Sequence, residues 1–219
     1  MSASIWLGME TSLRPGSVAA VAGDRDAVLI ELPGEVSTSE SLLPTLERLI
    51  GGMGIRGDSL AGIGVCLGPG SYTGLRIGAA TAMGLVSGWR VPLKGVPALR
   101  AIAFAAVSEA PVLSVIRARE GEVFAAAYAS SDPFSTELLP PGVYECRAVA
   151  DWLARNGAVC AGPGAEMVAG VSDPSLTTSP GADTIARLAS ILHGRSGPDP
   201  FLRPLYLRSF RQKARQGVS

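Results

Sequence analysis

One stretch of the chain contains a strand, a glycine-rich turn, a helix and a second strand, and it decides the fold. Residues 62–95 read GIGVCLGPGSYTGLRIGAATAMGLVSGWRVPLKG. The apolar run Gly62–Leu67 predicts a buried strand, Gly68–Ser71 a turn, and the apolar spacing a helix over Thr73–Ser87. Val91–Gly95 predicts another strand. This order is typical of a parallel crossover unit.

The flanking segments of the N-terminal half extend this unit. Apolar runs joined by short turns predict a three-stranded antiparallel meander, over Ile5–Met9, Ser17–Val21 and Ala27–Leu32. Leucines at helical spacing predict a helix that starts at a Ser41 cap and stops at Gly51-Gly52. Pro97–Ser108 predicts a third helix. The order β-β-β-α-β-α-β-α is typical of a ribonuclease H-like half-domain.

The C-terminal half repeats this order imperfectly. Its predicted strands are Val112–Ile116, Glu122–Ala129 and Ala158–Ala161, its helices Arg147–Arg155, Pro163–Ala169 and Asp183–His193, and its loops Pro133–Gly142 and Val171–Pro180. We therefore predict an α/β fold with two ribonuclease H-like lobes of the actin/sugar kinase/Hsp70 (ASKHA) type, the second degenerate. The predicted division is a first lobe over 1–108, a second over 109–200 and a basic tail over 201–219.

Composition excludes several classes of protein. Hydrophobic residues make up 47% of the 219-residue chain, which excludes a wholly disordered protein, and 19 basic residues balance 19 acidic ones. Zero net charge argues against nucleic-acid binding driven by overall charge. Three widely spaced cysteines fit reduced thiols, and no apolar run reaches the ~20 residues that span a bilayer. We expect a cytoplasmic protein that does not enter the membrane.

The glycine-rich turn and the end of the first strand carry the candidate phosphate-binding residues. Free N–H groups at a strand–turn–helix junction can cradle a phosphate, although they can equally belong to a capped turn. The turn is neither a Walker loop nor a Rossmann fingerprint, and the sequence holds no Asp-x-Gly. We expect no cofactor and at most weak ATP or ADP binding at a vestigial site. That site would comprise Thr11, Ser12, Gly70, Ser71, Thr73 and Arg76.

Small residues recur along the helix after this turn. Gly74, Gly78 and Ala82 are spaced four apart. A glycine inside a helix costs about 1 kcal/mol relative to alanine, a cost that close approach of another backbone can offset. That backbone could belong to the same chain or to another subunit, and the sequence leaves both open.

The chain resembles the TsaB (YeaZ) family over nearly its whole length. The resemblance is carried by the run from Gly64 to Gly95 and by four shorter, collinear segments. These are Glu10-Thr11-Ser12 with Gly16-Ser17-Val18-Ala19, Leu42-Leu43-Pro44, Ala118–Phe124, and Pro204-Leu205-Tyr206-Leu207-Arg208. The sequence departs from the family pattern at Glu10 and Arg117, where Asp is usual, and at Thr38, where His is common. The departures at Glu10 and Arg117 weaken any acid-dependent metal or nucleotide role of this chain.

This resemblance implies a non-catalytic partner subunit. TsaB-like proteins form homodimers and bind TsaD, the catalytic subunit, and the TsaE ATPase joins them. The assembly transfers threonylcarbamoyl to N6 of adenosine 37 in tRNAs that read codons beginning with A, so tRNA would be met only through the complex. The resemblance places the partner interface on the first two helices, at Leu42, Leu46, Leu49, Gly74, Leu75, Gly78, Ala79 and Ala82. Gly78→Leu is then expected to break assembly and leave the chain folded.

The sequence also bears on three alternatives to the partner subunit and on the role of the basic tail. A minimal actin-like ATPase or kinase would need an Asp-based metal site, and the missing Asp-x-Gly argues against it. A metalloprotease would need more histidines than the single His193. A homodimer without a further partner stays open. The tail carries five basic residues and no acid from residue 203 onward, which fits either a solvated terminus or contact with tRNA phosphates.

Overall fold

The N-terminal half forms a five-stranded mixed sheet. The structure is a computed structural model that describes residues 4–23, 26–169, 179–203, 205 and 207. The strands are β1 (Ile5–Glu10), β2 (Ser17–Ala22), β3 (Asp26–Glu31), β4 (Gly62–Cys66) and β5 (Leu93–Val96), and the helices are α1 (Thr38–Met53), α2 (Tyr72–Trp89) and α3 (Ala98–Ala105). The sheet order is β3-β2-β1-β4-β5, in which β1 to β3 are antiparallel and β4 and β5 run parallel to β1.

The C-terminal half builds a smaller sheet on the same plan. Its strands are β6 (Val112–Arg117), β7 (Glu122–Tyr128), β8 (Glu137–Glu145) and β9 (Val159–Ala161), and its helices are α4 (Cys146–Asn156), α5 (Ala165–Ala169) and α6 (Ala182–Ser196). The order is β8-β7-β6-β9, with an antiparallel meander and β9 parallel to β6. It therefore repeats the first sheet without the last strand. The predicted fold of two ribonuclease H-like lobes, the second degenerate, is confirmed.

The elements stack in five layers around three apolar clusters. Helices α1 and α2 cover the outer face of the first sheet, α3 and α6 lie between the two sheets, and α4 and α5 cover the outer face of the second. Alternation along β1 serves two clusters at once, because Leu7 and Met9 face α1 and α2 whereas Trp6 faces the layer between the sheets. The sheets thus share one central core.

Helix α6 packs against the first sheet although it follows the second sheet in the sequence. Two glycines, one on β1 and one on β4, leave room for α6 to approach the sheet closely. A Cβ on Gly64 would lie 2.6 Å from the Ala189 Cβ, and one on Gly8 would collide with the Ala182 carbonyl. The division at residue 108 stays a prediction, but α6 belongs by packing with the first lobe.

Two local predictions are corrected by the structure. Much of the stretch predicted as a proline-rich loop is strand β8, which tolerates Pro140 and Pro141 because it is an edge strand. Helix α1 begins three residues before the predicted cap, with Ser37 at its N-cap, and the Ser41 hydroxyl donates to the Ser37 carbonyl at 2.9 Å. Most of the predicted loop 171–180, and the tail apart from residues 201–203, 205 and 207, lie outside the described residues.

Neither a disulfide nor a bilayer-spanning helix is present in the described part of the chain. All three cysteines are free thiols, with Cys66 and Cys160 buried. No helix among the described residues combines the length and the apolar character that crossing a bilayer requires.

Candidate functional site

The start of α2 lies directly over the end of β1. The Thr11 hydroxyl donates a 2.8 Å hydrogen bond to the carbonyl of Gly74. A Cβ on Gly74 would collide with the Thr11 carbonyl, and a Cβ on Gly78 would collide with the Thr11 hydroxyl. The close approach that these two helical glycines permit is therefore made within this chain.

The structure does not place the residues of the predicted partner interface at the surface. All eight residues proposed for it are buried inside the chain, namely Leu42, Leu46, Leu49, Gly74, Leu75, Gly78, Ala79 and Ala82. Side chains enclosed by their own protein offer no surface to a partner. These residues instead hold α1 and α2 on the sheet, so Gly78→Leu would disturb the fold, contrary to the expectation above.

The opposite face of the same helix pair is open. Two α2 glycines, Gly84 and Gly88, are exposed, and a Cβ added at either would meet no atom of the described residues within 4 Å. The same layer exposes large apolar side chains, with Leu43 at 50% and Met83 at 45%. The sequence also shows Gly84 and Gly88 as small residues of this helix, but the predicted interface omitted them, because helical spacing alone does not tell which small residues face the sheet.

The carboxyl of Glu10 is enclosed at the end of β1. Its Oε1 accepts hydrogen bonds from the Ser12 N–H, from the Ser12 hydroxyl at 2.8 Å and from the Leu13 N–H at 2.9 Å. Among the described residues, Oε2 has no hydrogen-bond partner, and the side chain is fully buried. Burial raises the pKa of Glu10, outweighing the hydrogen bonds that lower it. Burial, and then the adjacent Glu10 carboxylate, raises the pKa of the Cys66 thiol.

Only part of the predicted phosphate site comes together. Ser12, Gly70 and Ser71 line a cavity of about 460 Å³ between the lobes. The turn is internally bonded, because the Ser71 N–H donates to the Ser12 carbonyl at 2.7 Å and the Gly74 N–H donates to the Ser71 Oγ at 3.2 Å.

The other three predicted phosphate-site residues lie away from this cavity wall. The Thr11 hydroxyl already donates to Gly74. Arg76 lies on the exposed side of α2, where its guanidinium is 5.4 Å from the centre of the Tyr72 ring. Thr73, although exposed near the start of α2, does not line the cavity. Thr73 and Arg76 are close in the sequence to Gly70 and Ser71, but α2 turns their side chains away from the cavity.

Two arginines that the phosphate prediction omitted also line this cavity. Arg14 follows the first strand, and Arg117 comes from the end of β6 in the second lobe. Arg117 donates from Nε to the Pro163 carbonyl at 3.1 Å and forms an ion pair with Glu166. The available signal for Arg117 was its departure from the family's usual Asp. Arg14 offered only its position two residues after Ser12.

The single histidine belongs to the packing between the sheet and α6. The ring of His193 lies 5.3 Å from that of Trp6, and its Nδ1 is buried without a hydrogen-bond partner in the described part of the chain. No group of three or more His, Cys, Asp or Glu side chains within the described ranges could hold a metal ion.

A comparison with family models matches residues 33–161, more than half of the chain, to the family described as "TsaD: tRNA N6-adenosine threonylcarbamoyltransferase". The matched region contains α1, α2 and the glycine-rich turn. It ends in β9 of the second sheet.

Two curated bacterial proteins are similar in sequence, and both are named "tRNA threonylcarbamoyladenosine biosynthesis protein TsaB". The one from Haemophilus influenzae is 31% identical over 54% of this chain and 51% of its own length. The one from Escherichia coli is 34% identical over 41% of this chain and 40% of its own length. The matched part of the chain thus spans about half the length of these relatives, or less.

A solved structure is similar over a longer span. A crystal structure from Pseudomonas aeruginosa, titled as an uncharacterized protein with similarity to peptidase YEAZ, superimposes with a TM-score of 0.77 at 25% sequence identity. The superposition covers 94% of this chain and all of that chain, so both lobes share the arrangement.

Proposed function

This chain belongs to the family described as TsaD, tRNA N6-adenosine threonylcarbamoyltransferase, and on that premise we propose that it is the family's TsaB-type, non-catalytic subunit. In this proposal it works in the cytoplasm in the biosynthesis of tRNA threonylcarbamoyladenosine. It binds a TsaD-like catalytic subunit, which a TsaE-like ATPase joins, and it forms a homodimer when alone. It meets tRNA only through that assembly.

This role is supported by the names of the similar proteins and by the length of chain over which the solved structure superimposes. Both curated proteins carry the TsaB name, and the solved structure resembles the chain over both lobes. The environment of Glu10 also supports a non-catalytic role for this chain. Its side chain is fully buried, and its Oε1 already accepts three hydrogen bonds. A buried and occupied carboxyl is poorly placed to reach a substrate.

The open face of α1 and α2 is the observation that carries the partner-binding proposal. Gly84 and Gly88 each cost about 1 kcal/mol of helix stability relative to alanine, and no contact among the described residues requires their lack of a side chain. Close approach of a helix from another subunit would offset that cost. Leu43 and Met83 supply exposed apolar area on the same layer, as a partner interface needs. The proposed contact surface is therefore the exposed face of α1 and α2, in place of the buried residues that the sequence predicted.

A matched pair of glycine variants tests this surface. In Gly84→Leu, the added side chain points into open space, so the chain stays folded while a closely packed partner helix is pushed away. Gly194→Leu is the control. Gly194 is also an exposed helical glycine, on α6, and a Cβ added there would meet no atom of the described part of the chain within 4 Å. We expect at least tenfold weaker association with the TsaD-like subunit for Gly84→Leu alone, measured by size-exclusion chromatography with light scattering.

Two results would contradict the proposal. Equal association of wild type, Gly84→Leu and Gly194→Leu would remove α2 from the interface. Full threonylcarbamoyl transfer by the TsaD-like and TsaE-like proteins without this chain would remove its role as a required subunit. ATP turnover by the isolated chain would favour the minimal ATPase instead.

A further inference from the structure

We propose that a second cavity, bounded by α3, β7 and β8, binds a small, uncharged and mostly apolar molecule whose carbonyl oxygen accepts a hydrogen bond from the Tyr128 hydroxyl. This space, the Tyr128 cavity, has a volume of about 290 Å³. That volume is near the lower end of the range of small-molecule pockets. The inference does not rest on the proposed partner role, because the cavity lies within one chain.

The Tyr128 cavity lies apart from the cavity that Ser12 and Arg117 line. In the pairing of β6 with β7, Tyr128 is opposite Val112 at one end of β6, whereas Arg117 stands at the other end. The two cavities have no lining residue in common among the described residues. The Tyr128 cavity is therefore a separate site with a chemistry of its own.

Most of the wall of the Tyr128 cavity is apolar and stiff. Three leucines and four prolines belong to the described lining, the prolines being Pro69, Pro97, Pro133 and Pro141. A proline has no N–H to donate, and its ring fixes φ, so this wall offers few donors and changes shape little. Burying apolar surface here is favourable, whereas a polar group against these side chains would lose its hydrogen bonds to water. The wall therefore favours a ligand made mainly of carbon.

Tyr128 supplies a single polar group within this apolar wall. The residue is 1% exposed, and its hydroxyl has no hydrogen-bond partner among the described residues. Burial raises the pKa of Tyr128 to about 12, so the hydroxyl keeps its proton at neutral pH and can donate it to a hydrogen bond. Buried polar groups are normally hydrogen-bonded. A carbonyl oxygen held in the cavity would provide the missing acceptor.

The charged side chains of the described lining are already paired. Arg100 and Glu137 form an ion pair at 3.3 Å, and Arg100 also donates to the Ser135 carbonyl at 2.9 Å. The Arg100 guanidinium lies 3.7 Å from the centre of the Tyr128 ring, which helps to hold that ring in place. A charged ligand would have to displace one of these partners, whereas an uncharged ligand leaves them intact. The pairing therefore favours an uncharged ligand.

Three probes of similar shape separate these requirements. Acetophenone carries a carbonyl oxygen, α-methylstyrene carries a methylene group in its place, and benzoate carries a charged carboxylate. Each probe is titrated into the full chain, and its dissociation constant is measured by ligand-observed NMR. We expect acetophenone to bind several-fold more tightly than α-methylstyrene, because it alone of the two accepts a hydrogen bond. Benzoate should also bind more weakly than acetophenone, because its charge finds no free partner.

A matched pair of tyrosine variants assigns the effect to one hydroxyl. Tyr128→Phe keeps the ring, so acetophenone should then bind no more tightly than α-methylstyrene, whose own affinity should stay unchanged. That unchanged affinity also shows that the variant is folded. Tyr144→Phe is the control, because the Tyr144 hydroxyl donates to the Pro140 carbonyl at 2.8 Å and Tyr144 is outside the described lining. It should leave the affinities of all three probes at their wild-type values.

Four results would overturn the proposal. They are the absence of binding of any probe to the wild-type chain at millimolar concentration, equal affinities for acetophenone and α-methylstyrene, tightest binding by benzoate, and an equal loss of acetophenone affinity in Tyr144→Phe and Tyr128→Phe. None of them bears on association with the TsaD-like subunit, which is measured separately.

Discussion

At the scale of single residues, Glu10 links the first turn to the stability of the lobe. Its carboxyl joins the Ser12 and Leu13 backbone to the end of β1 and has no contact with solvent. Burial disfavours its charged form and raises its pKa above the ordinary 4.5. The folded chain therefore binds this proton to higher pH than the unfolded chain does.

This difference predicts a pH dependence of stability. The contribution is fully present below pH 4.5 and is lost as pH rises from there through the raised pKa, because the unfolded chain releases the proton first. Glu10→Gln keeps an oxygen acceptor without the ionisation, so its unfolding free energy should change less between pH 5 and pH 8 than that of wild type. Urea unfolding at pH 5 and pH 8 measures it. Glu47→Gln, exposed on α1, is the control, and equal pH slopes for wild type and Glu10→Gln would refute the prediction.

At the scale of elements, the segment after α6 is fastened along the free edge of β5. The buried Lys94 ammonium donates to Asp199 Oδ1 at 2.8 Å, to the Ser196 hydroxyl at 2.9 Å and to the Gly197 carbonyl at 3.1 Å. Asp199 also accepts the Gly95 N–H at 2.9 Å, and its own N–H donates to the Leu93 carbonyl at 2.8 Å. This edge of the sheet is therefore covered and does not offer unpaired backbone groups there.

Removing the acid should loosen this segment. Asp199→Ala leaves Lys94 buried with only two weaker acceptors, which we expect to cost about 2 kcal/mol in unfolding free energy. The Gly95 amide loses its acceptor, so its hydrogen exchange should accelerate. Asp58→Ala is the control, because it breaks an exposed ion pair with Arg56 and should leave stability unchanged. Unaltered Gly95 exchange in Asp199→Ala would show that the segment is held by other contacts.

At the scale of the whole molecule, the two sheets share a single central core. Helices α3 and α6 lie between them, and one cluster joins Trp6 of the first sheet to Tyr128 of the second. Arg100 of α3 adds to this junction, since its guanidinium lies 3.7 Å from the centre of the Tyr128 ring and pairs with Glu137. The lobes are therefore expected to unfold together.

This shared core predicts that the first lobe is not independent. A fragment of residues 1–108 would lack α6, so the face of β1 and β4 that α6 covers would be exposed. We expect this fragment to give no dispersed amide spectrum alone, and to gain one when the 109–219 fragment is added. A cooperative thermal transition of 1–108 by itself would contradict the prediction and would support a domain boundary at residue 108.

Sequence and tertiary structure determined different parts of this protein. Most strands and helices were predictable to within a few residues, because alternation, helical spacing and turn residues act over short distances along the chain. Strand β8 escaped, because Pro140 and Pro141 are tolerated only at a sheet edge, and the order of strands is a long-range property. The order of the elements also determined the class of the fold.

The tertiary structure alone decided what the small residues and the arginines do. Gly74 and Gly84 are both helical glycines of α2, yet one faces Thr11 and the other faces open space. Arg14 and Arg117 line one cavity although about a hundred residues separate them. Periodicity tells that a helix has distinct faces, but the packing of the sheet, of α6 and of the second lobe decides which face is enclosed, because those contacts join segments far apart in the chain.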